Sequence, residues 1–170
     1  DRIKLVWYGN HFNLAYANWD KMVFDPLSKN FDNLEITFVT NVCKPPKGCD
    51  KIKHRFIPWS IKSQSKEVSD SDFVLLPIDL SNVKFKHAVE VKSHNKLIDA
   101  VACGTMVICS PQPSYIKFSN YVHVGNDFVS SIKHCIKNKE ETIKRIEDCQ
   151  DFIKNNYTNK LLVKDLMRVL

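Results

Sequence analysis

Residues 90–115 read EVKSHNKLIDAVACGTMVICSPQPSY, and this stretch decides the fold class. Apolar residues at helical spacing predict a helix over residues 93–103, which Gly104 ends. The four apolar residues Met106–Cys109 predict a buried strand, and a proline-rich loop follows it. A helix that leads directly into a short, fully apolar strand is typical of an α/β protein with a parallel sheet.

The same alternation extends along the rest of the chain. Strands are predicted at 2–9, 34–40, 53–59, 72–79, 106–109 and 120–125, with helices at 18–30 and 60–71, several helical stripes from Asp127 on, and a last amphipathic segment at 159–170. This order predicts a doubly wound, Rossmann-like parallel sheet of six strands, flanked by helices and closed by C-terminal helices.

Length and composition favour one domain over residues 1–170. A chain of 170 residues with 44% hydrophobic content can bury one good core, and neither a repeat nor a low-complexity linker divides it. It begins at Asp1 without a leader-like segment and has no apolar run near the roughly 20 residues that span a bilayer. We therefore expect a fragment of a longer protein, with any peripheral membrane contact made through the missing part.

Net charge and cysteine content limit the classes of binding partner, the cellular compartment and the metal sites to be expected. The net charge is +6, but 21 of the 25 basic residues are Lys, whereas base and phosphate recognition in nucleic acids favours Arg, so no nucleic-acid partner is expected. Six cysteines in a chain with an adequate core indicate free thiols and a reducing, cytoplasmic compartment. Cys43, Cys49 and His54 are too widely spaced, and lack a fourth ligand, for a zinc site.

Ligands of doubly wound sheets bind in the loops after the strands. The loop after the first strand contains Gly9 and Asn10 but lacks the G-x-G-x-x-G fingerprint, which argues against a dinucleotide-dependent oxidoreductase. The VWYGN segment has no acid at the end of that strand, which argues against a receiver domain.

The start of the predicted helix is the strongest candidate for a site. Free backbone N–H groups, together with Lys92, Ser93, Asn95 and Lys96, favour an anion there, and Asp99 can accept hydrogen bonds from a ribose diol. An equally simple interpretation makes Ser93 an N-cap and Asp99 a surface partner of Lys96.

The segment KSHNKLIDAVACGTMVICSP resembles the pattern K-x-x-N-K/R-L-I/L-E/D-A-x-A-x-G-x-P-V-I/V. That pattern belongs to the C-terminal, nucleotide-sugar-binding domain of GT-B glycosyltransferases, near the retaining family 4, or group 1, enzymes that include many of bacterial polysaccharide biosynthesis. The resemblance implies a hexosyltransferase-like enzyme that uses a nucleotide sugar as substrate, needs no metal or other cofactor, and works with an N-terminal acceptor-binding domain on the same or another chain.

The resemblance also assigns residues. Asp99 falls on the acid that holds the ribose, Lys92 to Lys96 lie near the diphosphate and the sugar, and Trp59 and Ser60 follow the third strand where the base is received. Gly9 and Asn10 join them as donor-binding residues. The earlier family acid falls on Val91, with Glu90 one residue before it as the candidate catalytic acid. This departure leaves a non-catalytic Rossmann-like binding or interaction domain as the alternative.

Overall fold

The computed structural model describes residues 2–157 except residues 83 and 85. Within them a six-stranded parallel sheet has the strand order β3-β2-β1-β4-β5-β6. This confirms the predicted doubly wound, Rossmann-like α/β fold. The amphipathic segment predicted at 159–170 lies outside the described residues.

The strands are short, and helices or loops connect them. They are β1 Ile3–Gly9, β2 Leu34–Thr40, β3 Lys53–Pro58, β4 Phe73–Leu76, β5 Met106–Cys109 and β6 His123–Val124. The α-helices are α1 Asp25–Ser28, α2 Ile61–Ser69, α3 Lys86–Glu90, α4 Asn95–Ala102, α5 Pro113–Ile116, α6 Phe128–Lys137 and α7 Lys139–Asn156. 3-10 helices at His11–Tyr16 and Cys49–Lys51 and a π-helical turn at Asp20–Phe24 complete the described elements.

Several predicted boundaries are wrong. β4 ends at Leu76, three residues before Asp79, because Pro77 has no N–H to continue the ladder. β6 is reduced to His123–Val124, since its partner β5 ends at Cys109 and leaves only two register pairs. The short helices α3 and α5 and the 3-10 helix after β1 carry no long apolar periodicity, so the sequence did not predict them.

Aromatic side chains fill one face of the sheet beneath β1 and β2. Phe38 of β2 lies 5.4 Å from Trp19, 6.2 Å from Trp7 and 5.1 Å from Phe56, measured between ring centroids. Phe24 stacks on Trp19 at 5.5 Å. Large buried rings contribute strongly to core stability, so this cluster fixes the position of β1, whose carboxyl end leads into the candidate site.

Among the described residues, no helix combines the length and apolarity needed to cross a membrane.

Candidate functional site

The strand order reverses between β1 and β4, which are neighbours in the sheet although β2 and β3 separate them in the chain. Ligands of doubly wound sheets bind at the carboxyl ends of two such strands. Here the two loops are tied together, because the Asp79 N–H after β4 donates to the Tyr16 carbonyl after β1 at 2.7 Å. The Ile78 N–H donates to Ser110 Oγ after β5 at 3.0 Å. The edge of the sheet at the switch point is therefore a fixed frame.

A narrow crevice opens in this frame. It has a volume of about 20 Å³, which is room for about one water molecule. Its lining comes from four parts of the chain that are distant in sequence: Trp7, Asn13, Tyr16, Leu76, Pro77, Ile78, Lys92, Lys96 and Tyr115. Both lysines of the sequence-predicted site thus reach the switch point.

Lys96 turns from the first turn of α4 back towards β1. Its Nζ lies 4.5 Å from the Trp7 ring centroid, in a cation–π contact. Its stem passes Gly9 so closely that a Cβ on Gly9 would lie 2.8 Å from Lys96 Cε. The α4 backbone is held at the same place, since the Tyr8 hydroxyl donates to the Lys96 carbonyl.

Lys92 precedes α4 and points into the same crevice. Its Nζ donates to Asn13 Oδ1 at 3.3 Å and lies 3.9 Å from the Tyr16 ring centroid. The Lys92 carbonyl accepts a hydrogen bond from the Gln112 side chain at 3.3 Å, and Gln112 is completely buried. The position of Lys92 is therefore set from both sides of the switch point.

No acidic partner among the described residues neutralises the two ammonium groups. Across residues 2–157, with 83 and 85 left out, no ion pair involves Lys92 or Lys96. Burial lowers the pKa of Lys92 to about 8. Burial, and then the neighbouring Lys92, lower the pKa of Lys96 to about 7. Two desolvated cations without a counter-charge constitute an electrostatic site for an anion.

The start of the helix differs from the prediction. α4 begins at Asn95, and His94 occupies the N-cap position without a side-chain capping bond, so Ser93 is not an N-cap. The reason is the preceding α3, after which the Lys92 N–H still bonds to the Val89 carbonyl and Ser93 lies in the exposed turn. His94 instead packs against the Phe118 ring, with centroids 5.6 Å apart.

Asp99 lies on an exposed part of α4, where desolvation of its carboxyl group raises its pKa. The alternative in which Asp99 pairs with Lys96 is wrong, because the Lys96 side chain runs towards Trp7 and Gly9. Burial and then the charge of Asp99 raise the pKa of Tyr8, which places the carboxylate near the Tyr8 hydroxyl. Asp99 is not among the described residues that line the crevice.

The remaining predicted residues lie around this centre. Asn10 caps the 3-10 helix by accepting from the Phe12 N–H at 3.0 Å, and exposed Glu90 ends α3. Ser60 caps α2, and the half-exposed Trp59 donates to Gln64 Oε1 at 2.8 Å. Trp59 follows β3, the edge strand, two strands from β1 and so roughly 10 Å from the switch point.

Only Lys92 and Lys96 of the crevice were among the predicted site residues; the seven others were missed, namely Trp7, Asn13, Tyr16, Leu76, Pro77, Ile78 and Tyr115. Trp7 belongs to an apolar strand and Tyr16 to a loop without periodicity, so neither carries a motif. The one available signal was position, since Asn13 and Tyr16 follow the first strand and Tyr115 follows the fifth.

Gly9 allows Lys96 to reach the crevice, and replacing it by alanine is expected to remove that access. Gly9 has φ of 137°, which L residues rarely adopt, and the added Cβ would meet the Lys96 stem. We expect Gly9→Ala to lower the free energy of unfolding by about 1–3 kcal/mol and to weaken anion binding at the crevice. Urea denaturation and calorimetric titration measure the two effects.

The matched control is Gly125→Ala, where an added Cβ meets nothing within 4 Å. An equal loss of stability in both variants would contradict the role given to Gly9.

The comparisons with known proteins support the fold. No family model matches the sequence, and no curated protein matches it either. Solved structures that share the fold include the three that follow, each less than 25% identical to the chain. WaaG, a glycosyltransferase of lipopolysaccharide biosynthesis, aligns at 14% identity and a TM-score of 0.67 over 96% of this chain and 46% of its own. Anabaena HepE in complex with UDP-glucose aligns at 9% identity and a TM-score of 0.69 over 99% of this chain and 49% of its own.

The catalytic domain of the Helicobacter pylori cholesterol-α-glucosyltransferase aligns at 11% identity and a TM-score of 0.65, over 93% of this chain and 100% of its own. The chain therefore spans about half the length of WaaG and HepE. The fold predicted from the resemblance, that of one domain of a GT-B glycosyltransferase, is confirmed.

Proposed function

We propose that this chain is the donor-binding half of a glycosyltransferase, which binds a nucleoside-diphosphate sugar at the switch point for hexosyl transfer to a glycan or similar acceptor. The observation that carries the proposal is the convergence of Lys92 and Lys96 on one crevice without an acidic partner among the described residues. A diphosphate supplies the missing negative charge at the place where doubly wound folds bind ligands.

The other contacts follow from the geometry around the crevice. The α4 N-terminus faces the same edge, and Ser93 and Asn95 at its start leave polar groups for the phosphates or the sugar. Asp99 holds the ribose hydroxyls, and Gly9 and Asn10 border the diphosphate from the β1 side. Trp59, with Ser60 beside it, stacks on the base, because an exposed indole is a suitable platform about 10 Å from the phosphates.

Two lysines and helix-end N–H groups would stabilise the leaving diphosphate without a metal ion. Glu90, exposed at the end of α3, is the candidate catalytic acid near the donor sugar. Val91 at the position of the earlier family acid favours the second candidate, a domain that binds the donor and does not transfer the sugar.

Transfer also needs an acceptor-binding domain, on the same chain or another one. Support comes from exposed apolar side chains in the segments that connect β1 to β5, namely Phe12, Val42, Trp59, Ile61, Leu80 and Val91. A rim of this kind is typical of a surface that a partner covers. All six cysteines are free, which fits a cytoplasmic enzyme of polysaccharide biosynthesis.

Calorimetric titration tests the proposal. We expect at least one of UDP, GDP, ADP and CDP to bind with a Kd below about 1 mM in the presence of EDTA, while uridine, guanosine, adenosine and cytidine bind at least tenfold more weakly. The difference arises because only the diphosphates neutralise the two lysines. Binding by none of the four diphosphates would overturn the proposal. Nucleosides that bind as tightly as their diphosphates would show that Lys92 and Lys96 do not bind the phosphates.

A further inference from the structure

We propose that Lys96 is the proton-accepting residue of the switch-point site, so that binding of a nucleoside diphosphate is coupled to uptake of a proton from solvent. This inference rests on the proposed function and adds a pH dependence to the same site. It concerns how the donor affinity is regulated and not which donor is bound.

The surroundings of Lys96 Nζ carry the inference. The Trp7 ring centroid lies 4.5 Å from Nζ, the Gly9 backbone borders the lysine stem, and Asn13, Leu76 and Pro77 are among the other residues that line the crevice. No described carboxylate pairs with the ammonium, and the crevice, with about 20 Å³, has room for about one water molecule beside it. A desolvated amine in such a place favours its neutral form.

The titratable groups that face Lys96 do not reverse this preference. Lys92, from the turn before α4, is cationic and opposes a second charge. The hydroxyls of Tyr8 from β1 and Tyr115 from α5 stay protonated, because burial raises the pKa of both. Tyr16, after β1, presents its ring to Lys92, and Asp99 on α4 lies beyond Tyr8, whose hydroxyl contacts the Lys96 carbonyl.

An anion bound at the surface of the crevice shifts the protonation equilibrium of Lys96. Burial, and then Lys92, lower the pKa of Lys96 to about 7 in the free protein. A diphosphate beside the amine favours the ammonium form, because the opposite charge compensates for the lost solvation. The proton comes from the buffer, binds the Lys96 amine lone pair and stays while the ligand is bound. The affinity should therefore fall as the pH rises above 7.

Calorimetry in buffers of different ionisation enthalpy measures the protons taken up. With whichever of UDP, GDP, ADP and CDP binds, we expect wild-type protein at pH 7.5 to take up about 0.7 to 1 proton per ligand, because Lys96 with a pKa of about 7 is then mostly neutral. From pH 7 to 9 the affinity should fall by at least about tenfold.

Lys96→Arg keeps a cation that does not lose its proton, so it should remove most of the uptake at pH 7.5 and leave only the shallower pH dependence that Lys92, with a pKa of about 8, contributes. Lys144→Arg, at an exposed position on α7, is the matched control and should leave both unchanged.

The outcomes separate this inference from the proposed function. If a diphosphate binds wild-type protein with no proton uptake and constant affinity between pH 7 and 9, the inference is overturned and the donor site stands. If none of the four diphosphates binds, the proposed function fails, and the inference fails with it. Uptake that persists undiminished in a Lys96→Arg variant that still binds ligand would assign the proton to another group and would also overturn the inference.

Discussion

Lys96→Met is expected to stabilise the unliganded protein and, in the same variant, to weaken nucleotide binding. Methionine fills the space beside Trp7 without a charge, and Trp7 and Gly9 keep their packing. A change in the lysine pKa from 10.5 to about 7 corresponds to a penalty of at most about 4–5 kcal/mol. Because Lys96 is only partly buried, we expect a gain of about 2 kcal/mol in the free energy of unfolding.

The sign of the pH dependence follows from the lowered pKa. Below pH 7 Lys96 is charged in both the folded and the unfolded states, so wild-type protein carries the full penalty. Between pH 7 and about 10.5 the folded state binds fewer protons, and the stability of wild-type protein rises with pH. The advantage of Lys96→Met should therefore be largest near pH 6.5 and shrink to less than half by pH 9.5, as measured by urea denaturation.

Nucleotide binding should change in the opposite direction. A hydrogen bond to a charged group contributes about 1.5–3 kcal/mol, so loss of the Lys96 ammonium should weaken diphosphate binding about 10- to 100-fold at pH 6.5. Lys144→Met, with the same substitution at an exposed site, should change neither quantity. A destabilised Lys96→Met variant would show that the lysine has a structural partner, and unchanged affinity would remove it from the donor site.

These opposed effects explain why a lysine stands at this position. A residue chosen for stability alone would be uncharged there, since none of the described residues that line the crevice is acidic. Unfavourable charge in an enclosed site is typical of residues that act on a ligand. The cost to the free protein is recovered when an anion binds.

The sequence was sufficient for the fold because its strongest signals were local. β2 is rich in β-branched and aromatic residues and β5 is a continuous apolar run, and both were predicted with the bounds that the structure has. The placement of Lys92 and Lys96 at the switch point was also predictable, since they lie before and in the first turn of α4, and the strand order brings the segment between β4 and β5 beside β1.

The direction of the side chains was not predictable from spacing. Helical periodicity placed Lys96 and Asp99 on one face and suggested an ion pair, yet Lys96 follows a path that only Gly9, distant in sequence, leaves open. The start of α4 was predicted at Ser93 and lies at Asn95 for a related reason. The preceding helix α3 and the packing of His94 on Phe118 place the first turn of α4 further along the chain. Tertiary contacts of this kind leave no trace in a local pattern.

Phe38→Ala is expected to have the largest effect on stability, with a loss of about 3–5 kcal/mol. Phe38 is fully buried in β2, and its ring contacts Trp7, Trp19, Phe24 and Phe56. Removing it leaves a cavity among rings that belong to β1, β3 and the π-helical turn, so the cluster cannot collapse without moving a strand. Urea denaturation followed by tryptophan fluorescence measures the loss and reports on Trp7 and Trp19 directly.

Loss of the Phe38 ring should also disturb the candidate site, because Trp7 packs against Phe38 and lies beneath Lys96. Should Phe38→Ala fail to fold, Phe38→Leu, which keeps most of the volume, should lose about 1–1.5 kcal/mol and still weaken diphosphate binding severalfold. The matched control is Phe12→Ala, because Phe12 is 74% exposed and its loss should cost less than about 0.5 kcal/mol. Similar losses of stability for Phe12→Ala and Phe38→Ala would contradict the placement of the aromatic cluster. Unaltered diphosphate affinity in Phe38→Leu would show that the cluster does not position the candidate site.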